Sequence, residues 1–149
     1  MAEDTTVKRE PQYVGFWKRV FASIIDTLIL VVVIGLIAVA VYGMQYARLS
    51  SEGKTLTFDL LVQGLLPALA VIVFWRYRGA TPGKMLISAK IVDAETFGTP
   101  STGQLIGRYF AYIVSCIFML GFIWIAFDKR KQGWHDKLAG TVVVYDEDN

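Results

Sequence analysis

A single carboxylate, Asp26, stands at the start of a stretch in which no further charged residue appears until Arg48. A charged side chain within a bilayer core costs roughly 3 kcal/mol on insertion scales, so it normally faces a partner or a water-filled cavity. Arg19 lies seven residues earlier, hence on the same helical face about two turns away. The sequence therefore predicts either a site where Asp26 binds a cation or takes up a proton, or a structural ion pair of Asp26 with Arg19 or Arg108.

The run from Asp128 to Gly140 is the densest polar patch of the chain. Within it, His135 beside Asp136 offers a group that can titrate near neutral pH. Asp136 is expected to pair with Arg19 or Arg108, which leaves two interpretations open: an entrance at the cytoplasmic surface, or an interfacial cap that ties the tail to the helices. The side chains expected at the lipid headgroups are Trp17, Lys18, Lys129, Arg130, Lys131 and Trp134.

The tetrapeptide Thr81-Pro82-Gly83-Lys84 predicts a structural turn that leads into a strand, because proline presets φ, glycine permits a positive φ and threonine can bond backbone amides. It lacks the further glycines of a nucleotide-binding loop, so phosphate binding is not predicted.

No serine, cysteine or histidine is placed with a base and an orienting acid, so no enzyme activity is expected. One histidine without a cysteine cluster makes a poor metal site, and the sequence predicts no metal, no cofactor and no nucleic acid partner.

The elements that must position these residues lie in a membrane. Of the 149 residues, 54% are hydrophobic, and they occur in long uncharged runs rather than at amphipathic spacing. The runs are Thr27 to Ala47, Leu60 to Trp75, and Tyr109 to Phe127. A bilayer core needs roughly 20 helical residues, so the first run spans it comfortably and the second only just. Pro67 within the second run predicts a kink rather than a break.

Basic residues cluster before the first run, between the second and third runs, and after the third. The positive-inside rule places all three segments in the cytoplasm, which three simple spans cannot satisfy. Met85 to Val92 and Thr141 to Tyr145 are rich in β-branched residues and predict two short strands, whose pairing requires one compartment. The third run is therefore expected either to enter and return, bending near Gly121, or to cross as a simple third span.

The predicted fold is an all-α membrane protein with two transmembrane helices, a third apolar segment that is a re-entrant helical hairpin or a third span, and a small cytoplasmic two-stranded β element. A cleaved signal peptide is rejected because the apolar run continues past the small residues Ala38-Val39-Ala40. A disordered tail (1–12) is expected to precede one membrane domain (13–145), and an acidic tail (146–149) to follow it. The domain divides into an interfacial helix (13–22), a first span (23–46), a second span (58–77), a cytoplasmic turn and strand (81–100), the third apolar segment (105–127) and a polar cap with a strand (128–145).

The order of these motifs resembles the RDD family of small bacterial membrane proteins over residues 13 to 145. The resemblance is carried by Arg19 and Asp26 at the first helix, by the Thr81 to Lys84 tetrapeptide, and by the run DKRKQGWHDKLAGT from Asp128 to Thr141. That family takes its name from an arginine and two aspartates, which correspond here to Arg19, Asp26 and Asp136, with Asp128 the less favoured second aspartate. The resemblance implies transport of unidentified ligands, including exchange of monovalent cations for protons.

These observations predict a multi-pass protein of the bacterial cytoplasmic (inner) membrane with a cytoplasmic N-terminus. The expected function is an oligomeric transporter of small ions, by cation/proton exchange, that uses an intramembrane cluster of Arg19, Asp26, Arg108, Asp128 and Asp136. Two alternatives remain open: a non-catalytic membrane scaffold or accessory subunit, and a module that binds anionic lipids. The expected partners are the lipid bilayer with its anionic lipids, further copies of the same chain, and a monovalent cation or a proton.

Overall fold

The computed structural model describes residues 10–117 and 119–146. The predicted disordered tail therefore lies outside the described residues up to residue 9, and so does the acidic tail from residue 147 onward. Gln12 is part of the structure, since its carbonyl accepts a hydrogen bond from the Tyr145 amide at 3.0 Å. Helix α1 (Phe16–Tyr42) is continuous, so residues 16–22, part of the predicted interfacial helix (13–22), belong to the same helix as the first span. The sequence after Phe21 has no proline and no glycine before Gly35, so it contains no signal that would end the helix.

A positive φ at Gly43 ends α1, and a 3₁₀ turn (Gly43–Gln45) leads into the short helix α2 (Tyr46–Ser51). The second membrane-length element joins α3 (Leu56–Asp59), a π-helical turn (Leu60–Leu65) and α4 (Leu66–Arg78). The π turn ends two residues before Pro67 and contains Gln63, whose carbonyl the proline ring would crowd in a regular α-helix. The stretches Phe16–Ser51 and Leu56–Leu86 are both long and apolar enough to cross a membrane, as predicted.

The third apolar segment consists of two helices, α6 (Thr102–Cys116) and α7 (Leu120–Phe127), which meet at an angle of 99°. Ser101 begins α6 with a capping box, in which its hydroxyl accepts the Gln104 amide and its own amide bonds the Gln104 side chain. Helix α6 ends at Cys116 and α7 begins at Leu120, so the bend lies slightly before Gly121, where it was expected. Gly121 instead lets α7 pack on α6, because a Cβ there would lie 2.6 Å from Ser115.

Two strands, β1 (Ala89–Asp93) and β2 (Thr141–Tyr145), pair antiparallel with Ala89 opposite Tyr145. The predicted pairing is confirmed, although β1 begins later than Met85 because helix α5 (Pro82–Leu86) occupies the preceding residues. The last helix, α8 (Trp134–Ala139), leads directly into β2. Val14 donates its amide to the Val143 carbonyl at 3.0 Å, so the chain before α1 covers one edge of this sheet.

The ends of the apolar helices converge on the two strands. The carbonyl of Gly79, just after α4, accepts the Ile91 amide at 2.7 Å. At the start of α6, the Gln104 side chain donates to Asp93 at 2.6 Å, and after α7 the Gln132 side chain donates to the Thr141 carbonyl at 2.8 Å. The third segment therefore begins and ends beside the same sheet.

The buried core lies at this end of the molecule and joins the sheet to α4 and α6, through Val14, Trp75, Ala89, Ile91, Leu105 and Val143. Further along α1 and α4, large apolar side chains are exposed; Leu28 is 60% and Val31 63% accessible. Such surfaces are stable in hydrocarbon or against another protein, but not in water. The exposed faces thus agree with a membrane environment.

Candidate functional site

Asp136 is the centre of a buried charge network. Its side chain is inaccessible to solvent, and one carboxylate oxygen accepts bonds from Arg19 Nη2 at 2.7 Å and from the Gly133 amide at 2.9 Å. The other oxygen accepts a bond from Arg108 Nη1, which also donates to the Thr141 hydroxyl at 2.6 Å. Helices α1, α6 and α8 are therefore joined at one carboxylate.

The two arginines keep Asp136 ionised. Burial by itself would raise the pKa of this carboxyl group, but Arg108 and Arg19, helped by the Gly133 amide, hold the pKa well below its usual range. One carboxylate thus faces two guanidinium groups, of which Arg108 is fully buried and Arg19 only 5% exposed. Two donor atoms of Arg108, Nε and Nη2, find no hydrogen-bond partner among the described residues. The faces of the Trp75 and Tyr112 rings, at 5.3 and 5.7 Å from the guanidinium carbon, partly compensate for this.

His135 adds a neutral group to the network. Its ring stacks on Tyr112 at 4.1 Å between centroids, and its Nδ1 lies 3.1 Å from the Ser115 hydroxyl. Burial, opposed by Asp136 and assisted by Arg108 and Arg19, lowers the pKa of His135 to about 2. The expectation that His135 titrates near neutral pH is therefore not met, because the ring is 1% exposed and faces cations.

Asp26 has a different partner from the one predicted. Its two carboxylate oxygens accept bonds from the Gly83 amide at 2.7 Å and from the Thr81 hydroxyl at 2.5 Å. Thr81 immediately precedes α5, so Asp26 caps that short helix from across the fold and satisfies one of its free amides. Within the described residues Asp26 forms no ion pair with Arg19 or Arg108, so it does not share the carboxylate cluster of Asp136.

The tetrapeptide from Thr81 to Lys84 is therefore a docking element rather than a simple turn before a strand. A Cβ atom on Gly83 would lie 2.1 Å from the Ala22 carbonyl oxygen, which leaves room only for glycine. This close approach fixes α5 on α1. Lys84, the next residue, is consequently buried to 5% exposure, a placement that the sequence did not predict.

A cavity of about 410 Å³ lies between α1 and α7 and is called here the α1–α7 cavity. Its polar lining comes from Arg19, Ser23, Thr27, Lys84, Tyr112 and His135. Its apolar walls come from Phe16, Val20, Ile24, Met119, Phe122, Ile123 and Ile125. The charged network thus borders a space large enough for a small molecule.

The sequence profile of the RDD family matches residues 13–140 of the chain. The protein belongs to the RDD family. The chain is similar to three relatives. The uncharacterized protein RP437 of Rickettsia prowazekii (strain Madrid E) is 40% identical over 103 residues, which cover 67% of this chain and 58% of the relative. In Bacillus subtilis (strain 168), the uncharacterized protein YxaI is 35% identical over 150 residues, which cover 88% of this chain and 96% of the relative, and the uncharacterized membrane protein YteJ is 30% identical over 142 residues, which cover 91% of this chain and 82% of the relative. No solved structure matches the chain.

The residues that correspond to the RDD letters are divided between two places. Arg19 and Asp136 bond each other in the buried network, whereas Asp26 holds α5. Asp128 lies in neither place; it accepts the amides of Arg130 and Gln132 and pairs with Lys137 at 2.6 Å. Of the three aspartates, only Asp136 bonds Arg19 and Arg108 in the part of the chain that the structure describes.

The basic residues expected at lipid headgroups are partly engaged within the RDD domain. Arg130 donates to the Ala94 carbonyl at 2.5 Å, and the Lys131 ammonium group donates to the Ala126 carbonyl at 3.2 Å. Lys129 is exposed and Trp134 half-buried, while Trp17 and Lys18 project from the first turn of α1. The network residues Tyr112, Ser115 and Thr141 were missed, because neutral residues inside apolar runs or strands carry no sequence signal of pairing.

Proposed function

We propose that this RDD protein is a small ion transporter of the bacterial cytoplasmic membrane and that its substrate site is the α1–α7 cavity. The observation that supports this most is the lining of the cavity, where buried charged groups meet apolar walls. Binding sites in membrane proteins combine these two features, since a charge at that depth is costly unless a ligand or partner uses it. The proposal assigns no catalytic role to any residue.

The proposed topology has both termini in the cytoplasm and a third segment that enters the membrane and returns. This is supported by the hydrogen bonds that tie both ends of the α6–α7 pair to the same strands, and by the basic residues near that end. Cysteines introduced near residues 5 and 147 in a Cys116→Ser background should show the same accessibility to an impermeant maleimide in intact cells. Labelling of one terminus and protection of the other would exclude the re-entrant topology.

The proposed role of the Arg19–Asp136–Arg108 network is structural, because the Asp136 oxygens are already fully engaged. Cation/proton exchange at Asp26 would require the bonds from Thr81 and Gly83 to break during each cycle. A single chain encloses a short pathway, so transport is proposed to occur in a homo-oligomer that buries the exposed apolar faces of α1 and α4. If transport is absent, the internal network favours the scaffold or accessory-subunit alternative.

The test uses the full chain reconstituted in liposomes with a pH-sensitive dye inside. Flux of sodium, potassium, protons and small anions is measured for the parent and for two tryptophan variants. Ile123→Trp fills the α1–α7 cavity, whereas Ile113→Trp adds the same bulk at an exposed position of α6 outside it. We expect Ile123→Trp to abolish the flux that Ile113→Trp retains. Equal flux in the two variants would refute the cavity as the pathway, and a parent without flux would refute transport.

A further inference from the structure

We infer that the α1–α7 cavity binds an anionic amphiphile, with an acidic head group at Lys84 and one apolar chain between α1 and α7. This inference rests on the proposed function and narrows the substrate of the cavity from an ion of either sign to an anion that carries an apolar chain.

The charge of the cavity lining favours an anion. Lys84 and Arg19 both line the cavity, while its described lining residues include no carboxylate. The charged side chains in the cavity lining and beside it are three cations, Arg19, Lys84 and Arg108, and two carboxylates, Asp26 and Asp136. One positive charge is left without a counter-charge in this set, so a cationic ligand would meet repulsion and an anionic ligand would complete the balance.

Of the two cations that line the cavity, Lys84 is the one without a bonded partner among the described residues. It is only 5% exposed. Partial compensation comes from the Trp75 ring, whose centroid lies 5.7 Å from Nζ, and from the neighbouring Asp26 carboxylate, which forms no ion pair with Lys84. Arg19, in contrast, is already bonded to Asp136 and to the Lys131 carbonyl. A buried ammonium with three donors and an adjoining cavity is a ready site for a carboxylate or phosphate oxygen.

The position of Lys84 is determined by its neighbours rather than by a flexible loop. Asp26 caps α5 through Thr81 and Gly83, and Gly83 presses that helix against the Ala22 carbonyl. Asp26 is thus a positioning residue, which holds the element that carries Lys84 toward the cavity. This gives the family's intramembrane aspartate a role that requires no change in its own protonation.

The remaining lining favours a single hydrocarbon chain. The wall contributed by α1 extends from Phe16 to Thr27, a length of roughly 16 Å at 1.5 Å per residue. The facing wall from α7 presents Phe122 and Ile123. A volume of about 410 Å³ lies toward the small end of the range of roughly 300–1,000 Å³ for small-molecule sites, which suits one chain better than two.

The experiment measures binding to the purified full-length protein in an uncharged maltoside detergent by isothermal titration calorimetry. The probes are dodecanoate, dodecyl phosphate, dodecanol, dodecyltrimethylammonium and inorganic phosphate. We expect saturable binding of the two acidic amphiphiles, at least tenfold weaker binding of dodecanol, and none of the cationic probe. Tighter binding of dodecanoate or of dodecyl phosphate shows whether the site prefers a carboxylate or a phosphate head group. Inorganic phosphate tests whether an anion without an apolar chain binds. Equal affinity for dodecanol, tighter binding of the cationic probe, or tight binding of free phosphate would overturn the inference.

Variants of Lys84 and of the cavity wall test whether these residues bind dodecanoate. Lys84→Met keeps the length of the side chain and should weaken dodecanoate binding by about tenfold to a hundredfold, the loss expected for one charge-assisted hydrogen bond. Lys84→Arg should restore most of it. If circular dichroism shows that Lys84→Met does not fold, dodecanoate binding is compared between Ile123→Trp and Ile113→Trp instead. Only Ile123→Trp fills the cavity, so only this variant should lose binding. Unchanged binding in Ile123→Trp would refute the site. Binding without flux would end the transport proposal alone, and flux without saturable binding of either acidic amphiphile would end this inference alone.

Discussion

Substitution of Asp136 by asparagine tests whether the buried network holds the fold together. Asparagine has nearly the same volume and keeps one carbonyl acceptor, so the change removes the charge without opening a cavity. It leaves Arg108 and Arg19, which are 0% and 5% exposed, facing each other without a carboxylate. Removing one partner of a buried ion pair costs about 3–5 kcal/mol. We expect the lower end of that range because the retained carbonyl still accepts one bond.

This loss is large compared with the total stability of a typical domain, which is about 5–15 kcal/mol. For a chain of this length it corresponds to a decrease of the unfolding midpoint by about 6–12 °C. Thermal unfolding in detergent, followed by circular dichroism, measures it. Asp128→Asn is the matched control, since it removes a partly exposed carboxylate that pairs with Lys137, and should cost about 1 kcal/mol or less.

A double variant separates the ion pair from other effects of the substitution. Arg19→Met combined with Asp136→Asn removes one of the two orphaned cations, so the two changes should be less than additive by at least about 1 kcal/mol. The reasoning is refuted if Asp136→Asn destabilises no more than Asp128→Asn, or if the double variant is fully additive.

Three further outcomes are expected. Gly83→Ala should destabilise by about 3 kcal/mol or more, because its Cβ would lie 2.1 Å from a backbone oxygen of Ala22, whereas Gly107→Ala, with open space around it, should be neutral or stabilising in thermal unfolding. His135, the only histidine in the sequence, should remain neutral from pH 8 to pH 5 in ¹⁵N NMR spectra, since its pKa is lowered to about 2. Stability should then fall by about 2 kcal/mol as the pH drops from 7.5 to 5, because only the unfolded state takes up the proton below its pKa of 6.5; this pH dependence should vanish in His135→Gln. Asp26→Asn should keep one of the two bonds to α5, lower the midpoint by a few degrees, and weaken dodecanoate binding more than Asp128→Asn does.

Contradicting results are equally specific. A tolerated Gly83→Ala would show that α5 is not pressed against α1 as described. A histidine resonance that titrates near pH 6 would show that the ring is hydrated or lacks the cationic surroundings of Arg19 and Arg108. Unchanged dodecanoate affinity in Asp26→Asn would separate Asp26 from the positioning of Lys84.

The local elements could be predicted from sequence because their signals are local. The apolar runs around Thr27 to Ala47 and Leu60 to Trp75 correspond to the two membrane-length helices. The β-branched stretch Thr141 to Tyr145 coincides with β2. The start of β1 was placed too early because Met85 and Leu86 are apolar in a short helix as well as in a strand.

The candidate site was less predictable. Arg19, Arg108 and Asp136 stood out because charges beside apolar runs need partners, and the structure brings these three together. The partner of Asp26 could not be inferred, since Thr81 and Gly83 offer a hydroxyl and an amide rather than a charge. The burial of Lys84 was also not foreseen, because a lysine after a proline-glycine pair is typical of an exposed turn.

The sequence by itself thus determined the membrane environment, the number of long apolar helices and the family, since hydrophobicity over 20 residues is a property of the chain wherever it folds. Only the tertiary structure decided which polar groups meet. Arg19 and Asp136 are 117 positions apart, and Asp26 and Gly83 are 57 apart. Bonds over such separations depend on how α1, α5, α6 and α8 pack, to within tenths of an ångström at Gly83 and Gly121. No local pattern of residue types encodes that packing.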